Sequence, residues 1–213
     1  MELSTAPSLG RPVGASGVQT RRRIIAATMR CVSEVGYSRA TIREIARVAD
    51  MTSGSLYHYF PNKSELVKAA FLELSETTVP RLAAAADRVD GVLDKLMAVL
   101  DEGDQVISDY PFAAAFDRAI RVESPAHLHL PEDSDTIFTA LRAVISGIVR
   151  QAEHEGALSQ GLDPASAADA VYALFRGLYD QAATAAPQDY HAAVDASKML
   201  LRGSLFDFTQ PPR

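Results

Sequence analysis

Residues 41–71, TIREIARVADMTSGSLYHYFPNKSELVKAAF, read as three short helices separated by two signalled breaks. Thr41 and Glu44 form a capping pair that starts the first: the hydroxyl accepts from the Glu44 amide, and the carboxylate turns back to the Thr41 amide. Ile42, Ile45, Ala46 and Ala49 then recur at i, i+3, i+4 and i+7 as one apolar face. Asp50 and Met51 interrupt that face, and Thr52 or Ser53 is the next candidate cap. The helix it opens turns Leu56 and Phe60 inward and leaves Ser53, Gly54, Ser55, Tyr57 and His58 outward. Tyr59, like Phe60, is expected in the core. Pro61 ends this helix, and Asn62 with Glu65 caps the third. Two helices joined by a tight turn, the second short and polar on its free face, follow the pattern of a helix-turn-helix DNA reader.

The runs TIREIA (41–46), the A-x-x-TSGSLYHYF of 49–60 and PNKSEL (61–66) closely resemble the N-terminal signature of the TetR family of transcriptional regulators, from about Thr20 to Phe71. The turn usually carries a glycine where this chain has Asp50, and aspartate tolerates the left-handed conformation better than most residues. The resemblance implies that Tyr57 and His58 reach phosphates, and that Lys63 matches a lysine holding the DNA backbone. From the chemistry of the side chains, Ser53, Gly54 and Ser55 at the helix start, with the cap Thr52, lie closest to base edges. Arg43, on the preceding helix, is the best candidate for a guanine contact, since its fork pairs with O6 and N7. Thr41 both caps and meets phosphate.

The formal charge of −6 is unevenly divided. Residues 1–75 hold ten Lys and Arg against six Asp and Glu, and the remainder eleven against twenty-one. A basic module on an acidic body suits a protein of which one end neutralises phosphates. No run of 18 apolar residues exists and the first residues lack a secretory apolar stretch, so neither membrane association nor export is expected and a cytoplasmic location is. The single cysteine, Cys31, fits a reducing compartment and reads as helix packing. No G-x-S-x-G, G-x-G-x-x-G, Walker loop or H-E-x-x-H occurs, so neither an enzyme nor a cofactor is expected.

Residues 1–19 read as a disordered tail, 20–71 as the reader, 72–208 as a helical effector-binding and dimerisation domain, and 209–213 as a second tail. The fold class is all-α, with about nine helices. The first helix starts at Thr20 and stops at Gly36, with Arg21, Arg22 and Arg23 in its first turn. Positive charge there opposes the helix dipole and suggests a nearby phosphate. The third helix continues past Leu72, with Pro80 inside it, to about Ala86. Further helices span 92–108, 112–122, 135–156, 165–184 and 189–208.

The resemblance implies a ligand cavity in the body and pairing of the last two helices with their copies. Met97, Leu100, Ile107, Tyr110, Phe116, Ile120, Phe138, Leu141 and Ile145 fall on inward stripes; periodicity fits a filled core as well as a cavity wall. An apolar wall suits a small, mostly hydrophobic effector. Val171, Tyr172, Phe175, Leu178 and Tyr179 form one stripe of an association surface, and Leu201 and Leu205, with Val194, Met199 and Phe206, another; either stripe also fits intramolecular core. A homodimer on a palindromic operator is expected, since one helix-turn-helix covers half a site. His127 and His129, near Glu132 and Asp133, do not specify enough ligands for a metal. A helical ligand-binding or scaffold protein whose reader no longer binds DNA is the alternative, supported by Asp50 and the weakly hydrogen-bonding Ser53-Gly54-Ser55 tip.

Overall fold

Side-chain caps set the helix boundaries of the N-terminal half, as the spacing predicts. Thr41 Oγ1 accepts from the Glu44 amide at 3.2 Å, Thr52 Oγ1 from the Ser55 amide at 3.1 Å, and Asn62 Oδ1 from the Glu65 amide at 2.9 Å. The Glu44 carboxylate does not turn back on Thr41; it accepts from Arg47 Nη2 at 3.2 Å, one turn further along.

The computed structural model describes residues 13–123 and 136–206. Among these residues nine helices and no strand occur, an all-α fold: α1 Val13–Val35, α2 Ile42–Val48, α3 Ser53–Tyr57, α4 Lys63–Asp87, α5 Val92–Asp109, α6 Ala113–Glu123, α7 Thr136–His154, α8 Pro164–Ala182 and α9 Pro187–Leu201. Residues 1–12 and 207–213, which hold most of both expected tails, lie outside the described residues, as do His127, His129, Glu132 and Asp133.

Two boundaries differ from expectation, the start of α1 and the end of α9. α1 begins at Val13, not Thr20, so residues 13–19 are helical and Arg21, Arg22 and Arg23 lie beyond its first turn. The dipole argument for a phosphate there falls away; adding residues to a helix already held by packing is easy even without an apolar face of their own. α4, as the sequence predicts, runs past Leu72 and through Pro80, which lies on the exposed side, where solvent can replace the donor it lacks. α9 stops at Leu201. Gly203 (φ 69°) follows it in the left-handed region, with the Ser204 amide donating to Met199 O at 2.9 Å and the Gly203 amide to Leu200 O at 3.0 Å. That is a Schellman ending, and it takes Leu205 and Phe206 off the helix.

The turn between α2 and α3 ends α2 in the same way. Asp50, at φ 52°, is the only non-glycine residue with positive φ among those described; the Met51 amide donates to Ala46 O at 3.0 Å and the Asp50 amide to Arg47 O at 3.2 Å. Aspartate thus takes the left-handed place that glycine takes more easily, and the turn is intact.

Two apolar clusters form the interior. One holds Ile24, Val32, Ile45, Leu56, Leu66 and Phe71 from α1 to α4, and also Ala113, Phe116 and Ile120 from α6. Cys31 lies in it, and burial raises its thiol pKa, so it stays a packed thiol. The second joins Leu82 and Ala86 of α4 to α5, α7, α8 and α9. α4 packs against α1, α5 and α7, and α6 against α1 and α8, so two helices connect the reader to the body.

Replacing Asp50 with glycine should change stability by less than about 1 kcal/mol, relief of strain being offset by the entropy of the unfolded chain, whereas Asp50→Val should destabilise by about 1–2 kcal/mol. Urea unfolding of the two variants checks this; equal midpoints would mean that the turn tolerates a β-branched residue in the left-handed region.

Candidate nucleic-acid interface and ligand cavity

The reader presents one polar face. Arg43 on α2 is exposed, as are Thr41, Thr52 and Gly54, with Ser53 and Ser55 half-buried beside them. Ser55 Oγ lies 2.9 Å from Thr52 Oγ1, so the two hydroxyls are held together at the start of α3. Tyr57 is 53% exposed and His58 is exposed. Tyr59, expected in the core, is 41% exposed, while Phe60 is buried. The reason is the end of α3 at Tyr57: the chain leaves helical periodicity there, two residues before Tyr59. Sequence reasoning missed Tyr59 as a candidate contact because it continued the helix two residues too far.

Lys63 is positioned differently from the expected phosphate contact. Its ammonium donates to the carbonyls of Tyr37 at 2.8 Å and Ala40 at 3.0 Å, with Ser38 O at 3.4 Å, and lies 4.4 Å from the centre of the Tyr37 ring. The side chain therefore ties the α1–α2 connection to the start of α4, in a position that a neutral or shorter side chain cannot reproduce. Arg21 pairs with Glu73 and lies over the Phe60 ring, which fixes α1 against α4.

Inside the body is a cavity of about 60 Å³, walled by α4 (Leu74, Thr78, Leu82), α5 (Val99, Leu100, Gly103, Val106, Ile107), Ala113 of α6, α7 (Ile137, Phe138, Leu141), α8 (Phe175, Leu178, Tyr179) and α9 (Tyr190, Val194). Of the expected ligand residues, Leu100, Ile107, Phe138 and Leu141 line it. Met97 and Ile145 pack in the body core and do not. Phe116 and Ile120 are fully buried in the reader's cluster, and Tyr110 packs against it. Phe116 and Ile120 lie on α6, which packs against α1, and Tyr110 lies between α5 and α6.

A similar correction applies to the expected association stripe. Phe175, Leu178 and Tyr179 face the cavity, and Val171 and Tyr172 pack against the body core. The free faces hold Ala170, Ala173 and Gly177 on α8, and Ala192, Met199 and Leu200 on α9, all exposed, with Leu201 half-buried. On α8 Phe175 and Leu178 are buried while Ala170, Ala173 and Gly177 are exposed, which periodicity alone does not distinguish.

At the α7–α8 end of the cavity, Phe138 and Tyr179 meet edge to face, with ring centres 5.1 Å apart at 81°. Arg176 lies 3.7 Å and Arg121 5.1 Å from the Phe138 ring centre, and Arg121 Nε donates to both carboxylate oxygens of buried Asp117 at 2.9 and 3.0 Å. Burial, with the Asp117 carboxylate nearby, pushes the Tyr179 phenol well above its ordinary pKa and keeps it protonated. Among the described residues, no group of three or more His, Cys, Asp or Glu could hold a metal ion, and no helix is long and apolar enough to cross a membrane.

This arrangement, a short-turn helix pair on a basic module joined to an all-α body with an apolar cavity, is that of a helix-turn-helix protein with a helical second part. The profile of the "Bacterial regulatory proteins, tetR family" matches residues 24–70. The chain is 39% identical over 83 residues to the HTH-type transcriptional regulator TtgR of Pseudomonas putida, covering 37% of this chain and 40% of that one. It is 28% identical over 162 residues to the HTH-type transcriptional regulator PksA of Bacillus subtilis, covering 74% and 76%. It is also 34% identical over 86 residues to the HTH-type transcriptional repressor Rv1474c of Mycobacterium tuberculosis, covering 39% of this chain and 44% of that one. The chain thus spans about two fifths of the length of TtgR and of the M. tuberculosis repressor. The fold is shared with a tetR-family regulatory protein from Rhodococcus RHA1 (TM-score 0.68, 22% identity, covering 88% of this chain and 97% of that one). It is shared also with FadR from Bacillus subtilis in complex with stearoyl-CoA (TM-score 0.67, 19% identity, 87% and 99%). Residues 24–70 thus match the tetR family of bacterial regulatory proteins, and the remainder of the chain shares the fold of its solved members.

Lys63→Met should destabilise the protein by about 1–3 kcal/mol, because three carbonyls lose their donor. Thermal unfolding checks this; an unchanged midpoint would return Lys63 to the role the resemblance implies.

Proposed function

We propose that this chain is a transcriptional regulator acting in the cytoplasm, most simply a repressor, which binds a palindromic duplex operator as a homodimer and is released by a small, mostly apolar molecule entering the body. In this reading residues 20–71 are the reader and 72–208 the effector-binding and dimerisation part. Arg43 and the start of α3 read bases, while Thr41, Tyr57, His58 and Tyr59 hold the backbone. The intact turn at Asp50 removes one of the two supports for a reader that no longer binds DNA.

The observation that carries the release mechanism is that Leu74 and Ala113 belong at once to the cavity wall and to the reader's core. A cavity of about 60 Å³ is smaller than the roughly 300–1,000 Å³ of small-molecule sites. An effector must therefore displace the wall, and α4 and α6 carry that displacement into the reader. In a dimer the result is a changed spacing of two readers that must otherwise meet half-sites about 34–36 Å, or a multiple, apart. Coupling is reciprocal, so DNA weakens the effector by the same factor.

Electrophoretic retardation of the DNA upstream of the chain's own coding region, titrated with salt, tests the reading. Affinity should fall steeply with salt, and Arg43→Ala should cost about 1–3 kcal/mol and relax sequence preference. No retardation even at low salt would overturn the DNA-binding role.

The dimer is tested separately. The exposed faces of α8 and α9 are the proposed contact, and a side chain at Gly177 meets nothing within 4 Å in the single chain. Gly177→Arg should fold normally, sediment as a monomer and lose operator binding; a dimer of unchanged affinity would place the interface elsewhere.

A further inference from the structure

Four hydroxyl-bearing side chains and one carboxylate make up the buried polar residues described: Thr28, Ser75, Thr78, Ser197 and Asp117. Three of the hydroxyls have the same solution. Thr28 Oγ1 donates to Ile24 O at 2.8 Å, Ser75 Oγ to Phe71 O at 3.2 Å and Ser197 Oγ to Ala193 O at 2.8 Å, each to the carbonyl one turn back. Asp117 is paired with Arg121. Thr78 is the exception: at 5% exposure, its hydroxyl has no hydrogen-bond partner. The buried Tyr179 hydroxyl shares that state. Both residues line the cavity, one from α4 and the other from α8. A buried polar group without a partner costs about 1–3 kcal/mol, and two such groups at one cavity are a site for a ligand.

Resting on the reading of this cavity as the effector site, we propose that its ligand is an uncharged, mainly apolar molecule carrying a hydrogen-bonding oxygen, a ketone, ester, amide or alcohol, held by Tyr179 and Thr78. The wall decides the absence of charge. No Asp, Glu, Lys, Arg or His lines the cavity, and Arg121 and Arg176 at its α7–α8 end lie against the Phe138 ring, with Arg121 already paired to Asp117, so a carboxylate or ammonium inside it would have no counter-ion in direct contact, and a buried unpaired charge is strongly disfavoured. The Tyr179 phenol, held neutral by burial, is a donor, so the oxygen it takes is an acceptor. Thr78 both donates and accepts, so it serves a carbonyl and a hydroxyl alike. Because Thr78 is on α4, a ligand bridging the two residues also grips the helix that begins in the reader.

Four probes of similar size separate the possibilities: acetophenone, ethylbenzene, benzoate and benzylammonium, each titrated against the full chain near neutral pH by ligand-observed NMR. Benzoate and benzylammonium should bind at least about a hundredfold more weakly than acetophenone. Tyr179→Phe and Thr78→Val remove one hydroxyl each while keeping the volume. Each should weaken acetophenone by about two- to tenfold and leave ethylbenzene unchanged or tighter. Ethylbenzene binding in the variants reports that the cavity is still formed. Either charged probe binding as tightly as acetophenone, or both neutral probes shifting alike in the two variants, would overturn the proposal while leaving the release mechanism standing. Failure of every probe to bind would remove the cavity as a site, and the release mechanism with it.

Discussion

The reader's core is not closed by its own helices. Phe116 and Ile120 are fully buried in it, and both come from α6, some fifty residues beyond the reader's last cap at Asn62. Each removes apolar surface worth about 1.5–3 kcal/mol when fully buried, so α6 is as much a part of the DNA module as α2 is. It packs also against α8 of the body, and its Arg121 lies over the Phe138 ring of α7. Ala113, at its start, and Leu74, on α4, stand where the two interiors meet. Close-packed interiors transmit displacement instead of absorbing it. Reader and body therefore act as one solid joined along two helices, and this continuity makes a response of one to the other physically possible.

Much of the fold was legible because local chemistry sets it. Thr41, Thr52 and Asn62 are caps whose partners lie three residues on, and Gly36 and Asp50 end helices where the pattern breaks. Such devices depend on neighbours in the chain. What was illegible depends on neighbours in space. Phe116 and Ile120 have the same periodicity whether they face a cavity or α1. Phe175 and Leu178 make an apolar stripe whether they face a second copy or their own core, and only the packing of α8 on α7 and α9 decides. The end of α9 was missed although Gly203 signals it, because the apolar residues Leu205 and Phe206 beyond it imitate another turn.

Lys63 illustrates the limit of reading a role from a motif. Its place in the N-K-S-E-L run is that of a family lysine, yet here its ammonium meets the carbonyls at the close of the α1–α2 connection and the ring of Tyr37. Those carbonyls lie beyond the end of a helix, where the backbone leaves acceptors unsatisfied and negative potential collects. A lysine opposite them is a structural need of the three-helix module itself. In the proposed DNA-binding mode, phosphate contact then falls to the exposed groups Thr41, Tyr57, His58 and Tyr59.

The size of the free energies decides which part of an effector does what in the proposed mechanism. Reversing a two-state preference from 99:1 to 1:99 requires about 5.5 kcal/mol of differential binding. A hydrogen bond contributes about 0.5–1.5 kcal/mol net, so pairing with Tyr179 and Thr78 falls short of it. Apolar burial at about 25 cal/mol per Å² reaches it once roughly 220 Å² of ligand surface is enclosed, provided the enclosing space exists in only one of the two states. A cavity of about 60 Å³ satisfies that condition, since it cannot enclose such a surface without moving Leu74, Ala113 or their helices. The hydroxyls therefore select which molecule enters, and the apolar wall, by having to yield, converts entry into motion of the reader.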